Sequence, residues 1–440
     1  MEIRLRTLTP LWTGGVEGIC DRLHETGIIG SLRWWYEAVV RGLGGEACDP
    51  SQHKCGYDPE QPNKGLCDAC QVFGATGWQR RFRMTLGAGT QLFCADPVLI
   101  PSGRIHRWTD RKGNPRSRAG GWYLGAGQVG QDIEADFRST IDLFDFEILV
   151  VPTLKLAQDW TALGAKEQNG YGVVKLHRAR NGQKIPLTVS KIQQNLFPGQ
   201  RWPDMLPALT DFFFCRVRFR PKGGDWWKDL KEFQLALNGK VSDSQGTVTL
   251  RNQITVSNVA EWFKQDCFPL VPVLKNWLRY TVFASLNEGQ SNFVFGTVDT
   301  VCPRCYEKVN KRWDKHKRCG CDLKRHKPIE RVRSKIGLSF AYKVRECWEF
   351  RVWGWMPQQE VLDTQPRQLS LDREKDFLKP LYESFKPDGS LWQSGPFKNV
   401  AELCQPWHWR ELGSDRDSTG SIYTDSYEFL RSLVIAKEAS

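Results

Sequence analysis

Nowhere does the sequence offer the run of about 18 apolar residues that a membrane-spanning helix requires, so a soluble, globular chain is expected. Its opening residues, MEIRLRTLTP, alternate apolar and charged side chains. They lack the basic stretch followed by an apolar one that marks a secretory leader, which makes a cytoplasmic product the expectation. Also missing are a phosphate-cradling P-loop, a dinucleotide-binding glycine pattern, a Ser-His-Asp order and a paired-carboxylate motif, so these enzyme classes find no support. Acidic residues are in deficit: 50 Asp and Glu stand against 62 Lys and Arg, a balance of +12. Such an excess favours a polyanionic partner, because each phosphate neutralised by a cation releases counterions. Nucleic acid leads that choice, ahead of an anionic membrane.

What is present is length and cysteine. A chain of 440 residues is long enough for two domains of roughly 200 residues each. In a reducing compartment its 14 cysteines point to metal binding or burial rather than disulfides. Spacing separates the two. Cys48, Cys55, Cys67 and Cys70 lie in EACDPSQHKCGYDPEQPNKGLCDAC, a segment too poor in apolar residues to fold unaided. Cys302, Cys305, Cys319 and Cys321 lie in CPRCYEKVNKRWDKHKRCGC, close to zinc-ribbon spacing. Four thiolates around a tetrahedral ion supply the missing cross-link and leave no open position for catalysis, so two structural zinc ions are expected. His53 is an alternative ligand in the first tetrad, and His316 or His326 in the second. Cys20, Cys94, Cys215, Cys267, Cys347 and Cys404 are isolated and receive no role.

Periodicity organises the rest. A strand over Ile3 to Leu8 precedes a helix read as beginning at Gly30 with Ser31 as its N-cap. Leu32, Trp35, Tyr36, Val39 and Leu43 form its packing face, and Arg33, Glu37 and Arg41 an i, i+4, i+8 stripe read as free. Trp34 and Trp35 are either core residues or a platform for a base. Phe73-Gly74 then precedes a strand in which Phe82, Met84 and Leu86 alternate with basic Arg81 and Arg83 and with Thr85. From Pro101 to Gly130 the chain is basic, with six Lys or Arg between Arg104 and Arg118, and reads as a long mobile loop or hairpin able to clamp RNA. A strand is expected around Thr140 to Val151, a helix from Pro152, a turn at Gly164, Gly170 and Gly172, and a linker over 182–208.

The second half repeats the order. FFFCRVRFR alternates apolar and arginine positions, a long helical region follows, and Phe295-Gly296 opens the second cysteine segment before the strand SKIGLSFAYKV. This is an internal duplication with Phe73-Gly74. Strands with long crossover helices and antiparallel neighbours give an α+β fold of two ferredoxin-like (RRM-like) modules with zinc-binding insertions, divided as 1–195 and 196–440. The basic strand faces are then candidate RNA surfaces.

The segments TPLWTGG and TGIIGSLRWWYEAVVRGLGG, together with the Phe-Gly motif and the turn GAKEQNGYG, resemble the RAMP superfamily of CRISPR-associated proteins. LRWWYEA is similar to the RAMP subunits that cap type III-B (Cmr) effector complexes. The resemblance implies a subunit that binds CRISPR RNA at the 3′ end of the backbone filament, sits beside other RAMP subunits and helps recognise target RNA, without cutting it. On that pattern Gly30, Ser31 and Arg33 are expected to hold the RNA backbone, the helix start offering N–H groups to a phosphate. Lys166, Gly170, Tyr171 and Gly172 are expected beside them, with Arg81, Arg104, Arg107 and Arg111 as further contacts. The rival expectation is a metal-dependent endoribonuclease using Asp21, which has His24 and Glu25 nearby.

Overall fold

The computed structural model describes residues 2–15, 20, 22–49, 55–60, 65–86, 98–110, 112–124, 132–139, 149–180, 183–189, 192–194, 196–197, 204–250, 254–264, 266–309, 316, 319–364 and 369–435. Asp21, His53, Cys94 and Arg111 lie outside them.

Alternating apolar residues make the first sheet. Its strands are β1 (Glu2–Thr7), β2 (Phe82–Leu86), β5 (Asp132–Ser139), β6 (Val174–Arg180) and β7 (Gln183–Pro186), in the spatial order β2-β5-β1-β6-β7. Ile3 and Leu5 of β1 and Phe82 and Met84 of β2 all point to one buried face. Against that core pack α1 (Glu25–Gly42), α2 (Asp68–Phe73) and α3 (Val151–Trp160). Two strands in between, β3 (Val98–Thr109) and β4 (Pro115–Leu124), form a separate antiparallel hairpin. The strand expected around Thr140 to Val151 falls largely on residues 140–148, which lie outside the described residues; the described strand β5 ends at Ser139 and Val151 opens α3.

The second sheet contains β8 (Phe212–Pro221), β11 (Cys267–Phe268), β13 (Ala341–Val344), β14 (Cys347–Trp355) and β15 (Ala401–Glu411), in the order β11-β13-β14-β8-β15. β12 (Ile336–Leu338) also pairs with β14, while β9 (Lys240–Asp243) and β10 (Gly246–Thr249) make a small hairpin. The accompanying helices include α4 (Lys231–Asn238), α5 (Val271–Trp277), α6 (Glu288–Phe295), α7 (Lys379–Phe385) and α8 (Ser426–Val434).

The two cores interlock. Ile100 and Leu124 of the hairpin and Tyr171 are buried in the core of the second half. In return Phe212, Phe214 and Trp353, with Phe429, Leu430, Leu433 and Val434 of α8, are buried in that of the first. Trp160 seals the exchange by donating its indole N–H to the Leu433 carbonyl at 2.9 Å.

The Phe-Gly duplication is carried by backbone geometry. Gly74 (φ 88°, ψ 157°) caps α2, and Gly296 (φ 73°, ψ 166°) caps α6. Each is followed by an isolated antiparallel bridge, Ala75 with Trp78 and Thr297 with Val332. The chain then returns to the helix through equivalent bonds: Arg81 N–H to the Val72 carbonyl at 2.9 Å, and Lys335 N–H to the Val294 carbonyl at 2.7 Å. A Cβ on Gly74 would lie 3.0 Å from Arg80 N, and one on Gly296 2.6 Å from Ser334 N, so both positive φ and close approach require glycine. Thr76 and Gly77 turn the first of these hairpins; in the other the second cysteine segment lies between Thr297 and Val332.

The basic face of β8 is open only at its end, where Arg220 is exposed; Arg216 and Arg218 are engaged. Arg218 Nε donates to Glu349 Oε2 at 2.7 Å and Arg216 Nη2 to the same oxygen at 3.3 Å, while Arg216 also lies 5.5 Å from the Trp160 ring of α3. Burial opposes charge on Glu349, but the guanidiniums of Arg216 and Arg351 draw its carboxyl down to about 2. Periodicity marks which side of a strand is polar; packing of the first half decides whether that side meets water. Cys347 and Cys404, expected to be isolated, are joined as a disulfide.

Candidate metal centres and nucleic-acid interface

The first cysteine segment folds back on α1. The sulfurs of Cys48, Cys55, Cys67 and Cys70 all lie within 4.8 Å of one another. Cys48 and Cys70 are 3.6 Å apart, close to the edge of about 3.8 Å of a tetrahedron with zinc–sulfur bonds of about 2.3 Å. Backbone donors already point at the sulfurs: Cys48 N–H to Cys67 Sγ at 3.3 Å and Cys67 N–H to Cys55 Sγ at 3.4 Å. Four soft donors with amide support fit a thiophilic cation such as zinc.

The stripe on α1 read as free in fact brackets this cluster. Arg33 donates from Nε to Glu37 at 2.8 Å, from Nη1 to the Gly74 carbonyl at 3.0 Å and from Nη2 to Cys70 Sγ at 3.0 Å. Two turns on, Arg41 donates to the carbonyls of Ala47 at 3.1 Å, Cys48 at 3.0 Å and Pro207 at 3.1 Å. Glu37 lies buried between them, 3.7 Å from Arg41. Burial raises the Glu37 carboxyl against the pull of Arg33. The i, i+4, i+8 pattern was visible in the sequence; what covers it was not.

The second cluster differs from its expectation. Cys302, Cys305, Cys319 and His316 form the compact group, again within 4.8 Å. Cys302 and Cys319 sulfurs are 3.5 Å apart, and His316 Nδ1 lies 3.5 Å from Cys305 Sγ and 3.3 Å from Cys319 Sγ. Of the alternatives left open, His316 completes the set in place of Cys321. Gly320 N–H bonds the His316 carbonyl at 2.8 Å, closing a turn that brings the imidazole back over Cys319. Cys321 is buried alongside, its thiol pushed up to about 11 by burial and by Cys302. This cluster rests on α6: Asn292 donates to the Tyr306 carbonyl at 3.0 Å, and Tyr306 packs on Phe293 at 4.9 Å.

The residues expected to hold RNA divide into three groups. Gly30 and Ser31 do not start α1, which begins at Glu25 after His24. Their N–H groups therefore belong to the helical ladder rather than to a phosphate; Ser31 has good company nonetheless. Its hydroxyl donates to Glu167 Oε1 at 3.1 Å, and burial raises that carboxyl to about 7. Next to Glu167, Lys166 adopts φ 58° and places Nζ 4.0 Å from the centre of the Trp12 ring. Gly30 is exposed, with open space beyond its Cα.

A second group is committed to packing. Tyr171 is fully buried and lies 5.3 Å from Phe340. A Cβ on Gly170 would meet Phe340 at 2.4 Å and one on Gly172 the Leu163 carbonyl oxygen at 1.9 Å. Trp35 is likewise core, bonding the Ala162 carbonyl at 3.2 Å, with Trp34 packed edge-on against it. Arg33 joins this group through its metal-cluster contacts.

The third group lies on or near the surface. Arg81 is half-buried at the start of β2. Arg104 stacks 3.6 Å over Tyr280, and Arg107 grips both oxygens of Asp243 at 2.6 Å. The basic stretch is thus a hairpin docked on the second half. Trp12 and Glu167 were missed because nothing local marks two residues that far apart as neighbours.

Residues 4–175 match the family model of the RAMP superfamily. No curated protein matches the chain. Among solved structures it is similar to Cmr1 from Pyrococcus furiosus in its apo form, at 13% identity and a TM-score of 0.35, covering 81% of this chain and 88% of that one. It is also similar to a chain of the type III-B Cmr-beta complex bound to cognate target RNA, at 9% identity and a TM-score of 0.33, covering 81% and 94%. Among the described residues no helix is long and apolar enough to cross a membrane.

Proposed function

We propose that the chain is a CRISPR RNA-binding subunit of a type III-B (Cmr-type) RNA-guided effector complex, capping the 3′ end of the backbone filament, helping to recognise target RNA and acting in the cytoplasm. The observation that carries this reading is the RAMP-superfamily match over residues 4–175, which spans both α1 and the glycine-rich turn. The LRWWYEA resemblance supports the capping role, and the +12 balance supports a polyanionic partner. The strand orders β2-β5-β1-β6 and β13-β14-β8-β15 support a ferredoxin-like module in each half, divided near residue 195.

On this reading the outer face of α1 at Gly30 and Ser31, with Lys166 beside it, meets the RNA backbone, and Arg81, Arg104, Arg107 and Arg111 add cationic contacts. Zinc at each cysteine cluster is structural: four protein ligands fill a tetrahedral shell, so the ion cross-links loops and performs no chemistry. The chain binds RNA rather than cutting it, and Asp21 is the residue on which the opposite reading would turn.

The test is copurification. The chain expressed with its neighbouring operon products is expected to bring down a short CRISPR RNA and other RAMP subunits. Alone, it is expected to bind single-stranded RNA with an affinity that falls steeply with salt. Salt-independent binding, or cleavage products that disappear in Asp21→Ala, would overturn the reading.

A further inference from the structure

The β3–β4 hairpin has two unlike faces. Its register pairs His106 with Arg118, Arg107 with Ser117 and Trp108 with Arg116. Because side chains alternate along a strand, Arg107 points one way and the cross-strand pairs His106/Arg118 and Trp108/Arg116 the other.

The Arg107 face is fixed to the second half by its paired bonds to Asp243. Lower down, Ile100 and Leu124 are fully buried in that core, and Arg104 caps Tyr280 at 3.6 Å. The hairpin is therefore held at its base and along one side.

The opposite face is polar, cationic and open, with an indole in its middle. Trp108 is 47% exposed. The Arg118 guanidinium lies 5.9 Å from its ring centre, and Arg116 stands directly across the ladder. Arg116 also pairs with Asp110 at 3.0 Å, but its side chain is 58% exposed, and a surface pair of this kind yields readily to a phosphate.

We infer that this outer face is a single-stranded RNA platform: a base stacks on Trp108 while Arg116 and Arg118 take the flanking phosphates. An exposed indole between guanidiniums is the combination that unpaired nucleic acid satisfies in both parts, since every base has a π-face and every linkage a charge. Duplex RNA keeps its bases inside and offers no face to the indole. An acidic peptide would engage the arginines and leave the indole wet. Anchoring the other face orders the platform before the ligand arrives, which lowers the entropy lost on binding. The inference rests on the RNA-binding reading above and adds a location and a strand state to it.

The test uses the full chain and fluorescein-labelled oligouridine, with anisotropy as readout. Trp108→Ala is expected to weaken binding about tenfold, the loss of one stacked base, and Trp108→Phe to restore most of it. Arg116→Ala and Arg118→Ala are each expected to lower the salt dependence by about one counterion. With 5-iodouridine in the oligomer, photocrosslinks are expected within residues 98–124. Trp108 is exposed, so the melting temperature of Trp108→Ala should match that of the wild type, separating loss of binding from loss of fold. Wild-type binding with Trp108→Ala unchanged and no crosslink in the hairpin would overturn the platform and leave the RNA-binding reading intact. A wild-type chain that binds no RNA would overturn both.

Discussion

Both halves of the chain end a helix in Phe-Gly and turn back through the same bridge, yet they place their cysteine clusters on opposite sides of it. In the first half the cluster precedes the motif: Cys67 and Cys70 start the very helix that Gly74 ends, and α1 grips the cluster through Arg33 and Arg41. In the second half the cluster follows the motif, filling the hairpin between Thr297 and Val332 and forming a small core of its own with Val309 and Leu323. The first cluster is built into the core of its half; the second sits on a turn. Equal chemistry therefore should not carry equal structural weight.

The largest expected effect follows from that contrast. Cys70→Ser should remove one of two bound zinc ions and take the first half with it, lowering the melting temperature by more than about 10 °C, since structural zinc supplies on the order of 10 kcal/mol to the segments it organises. Cys319→Ser should lose the other ion and shift melting by no more than about 2 °C. Metal analysis with calorimetry reads both numbers, and equal shifts would dissolve the distinction. In the second cluster His316→Ala should lose metal while Cys321→Ser retains it.

Arg33→Ala comes next. It leaves Glu37 buried with only the more distant Arg41, and Cys70 without its donor, a loss of about 2 to 3 kcal/mol. Chemical denaturation should show it, and zinc should leave the first cluster at lower chelator concentrations than in the wild type.

A smaller effect separates the two glycines. Both lie in a region that only glycine enters easily, which costs about 1 to 3 kcal/mol for alanine. Gly296→Ala should cost more than Gly74→Ala, because its Cβ would lie 2.6 Å rather than 3.0 Å from backbone nitrogen. A reversed order would mean that the second hairpin relaxes through its long insertion.

The smallest effect concerns Glu167, whose carboxyl is raised to about 7 by burial, with Ser31 and Arg333 working against that shift. A carboxyl raised in the folded state binds more protons there than in the unfolded chain. Its contribution is complete at low pH and is lost as pH rises from the ordinary carboxylate range through about 7. Glu167→Gln should flatten that part of the stability profile; an unchanged slope would remove Glu167 as its source.

Much of this was legible beforehand, and the limits are physical. Period-two alternation exposed β1, β2 and β8, and cysteine spacing isolated both clusters. The Phe-Gly repeat was readable because a positive φ beside a close backbone contact admits a single residue type. The start of α1 was not readable, since ETGII contains a glycine and lacks a side chain that would cap a helix at His24. The Arg33, Glu37, Arg41 stripe and the arginines of β8 misled for one reason. A polar face looks the same in sequence whether water or a neighbouring element covers it. Tyr171, taken for an RNA contact, is instead a core residue lent to the other half.

That lending extends to the order in which the molecule can be made. The first-half core is finished by Phe429, Leu430, Leu433 and Val434, more than 200 residues after its last sheet strand, β7, which ends at Pro186. On a ribosome α3, against which that closing helix packs, must wait partly uncovered until the helix has emerged, so the nascent chain presents an apolar helix face for most of its synthesis.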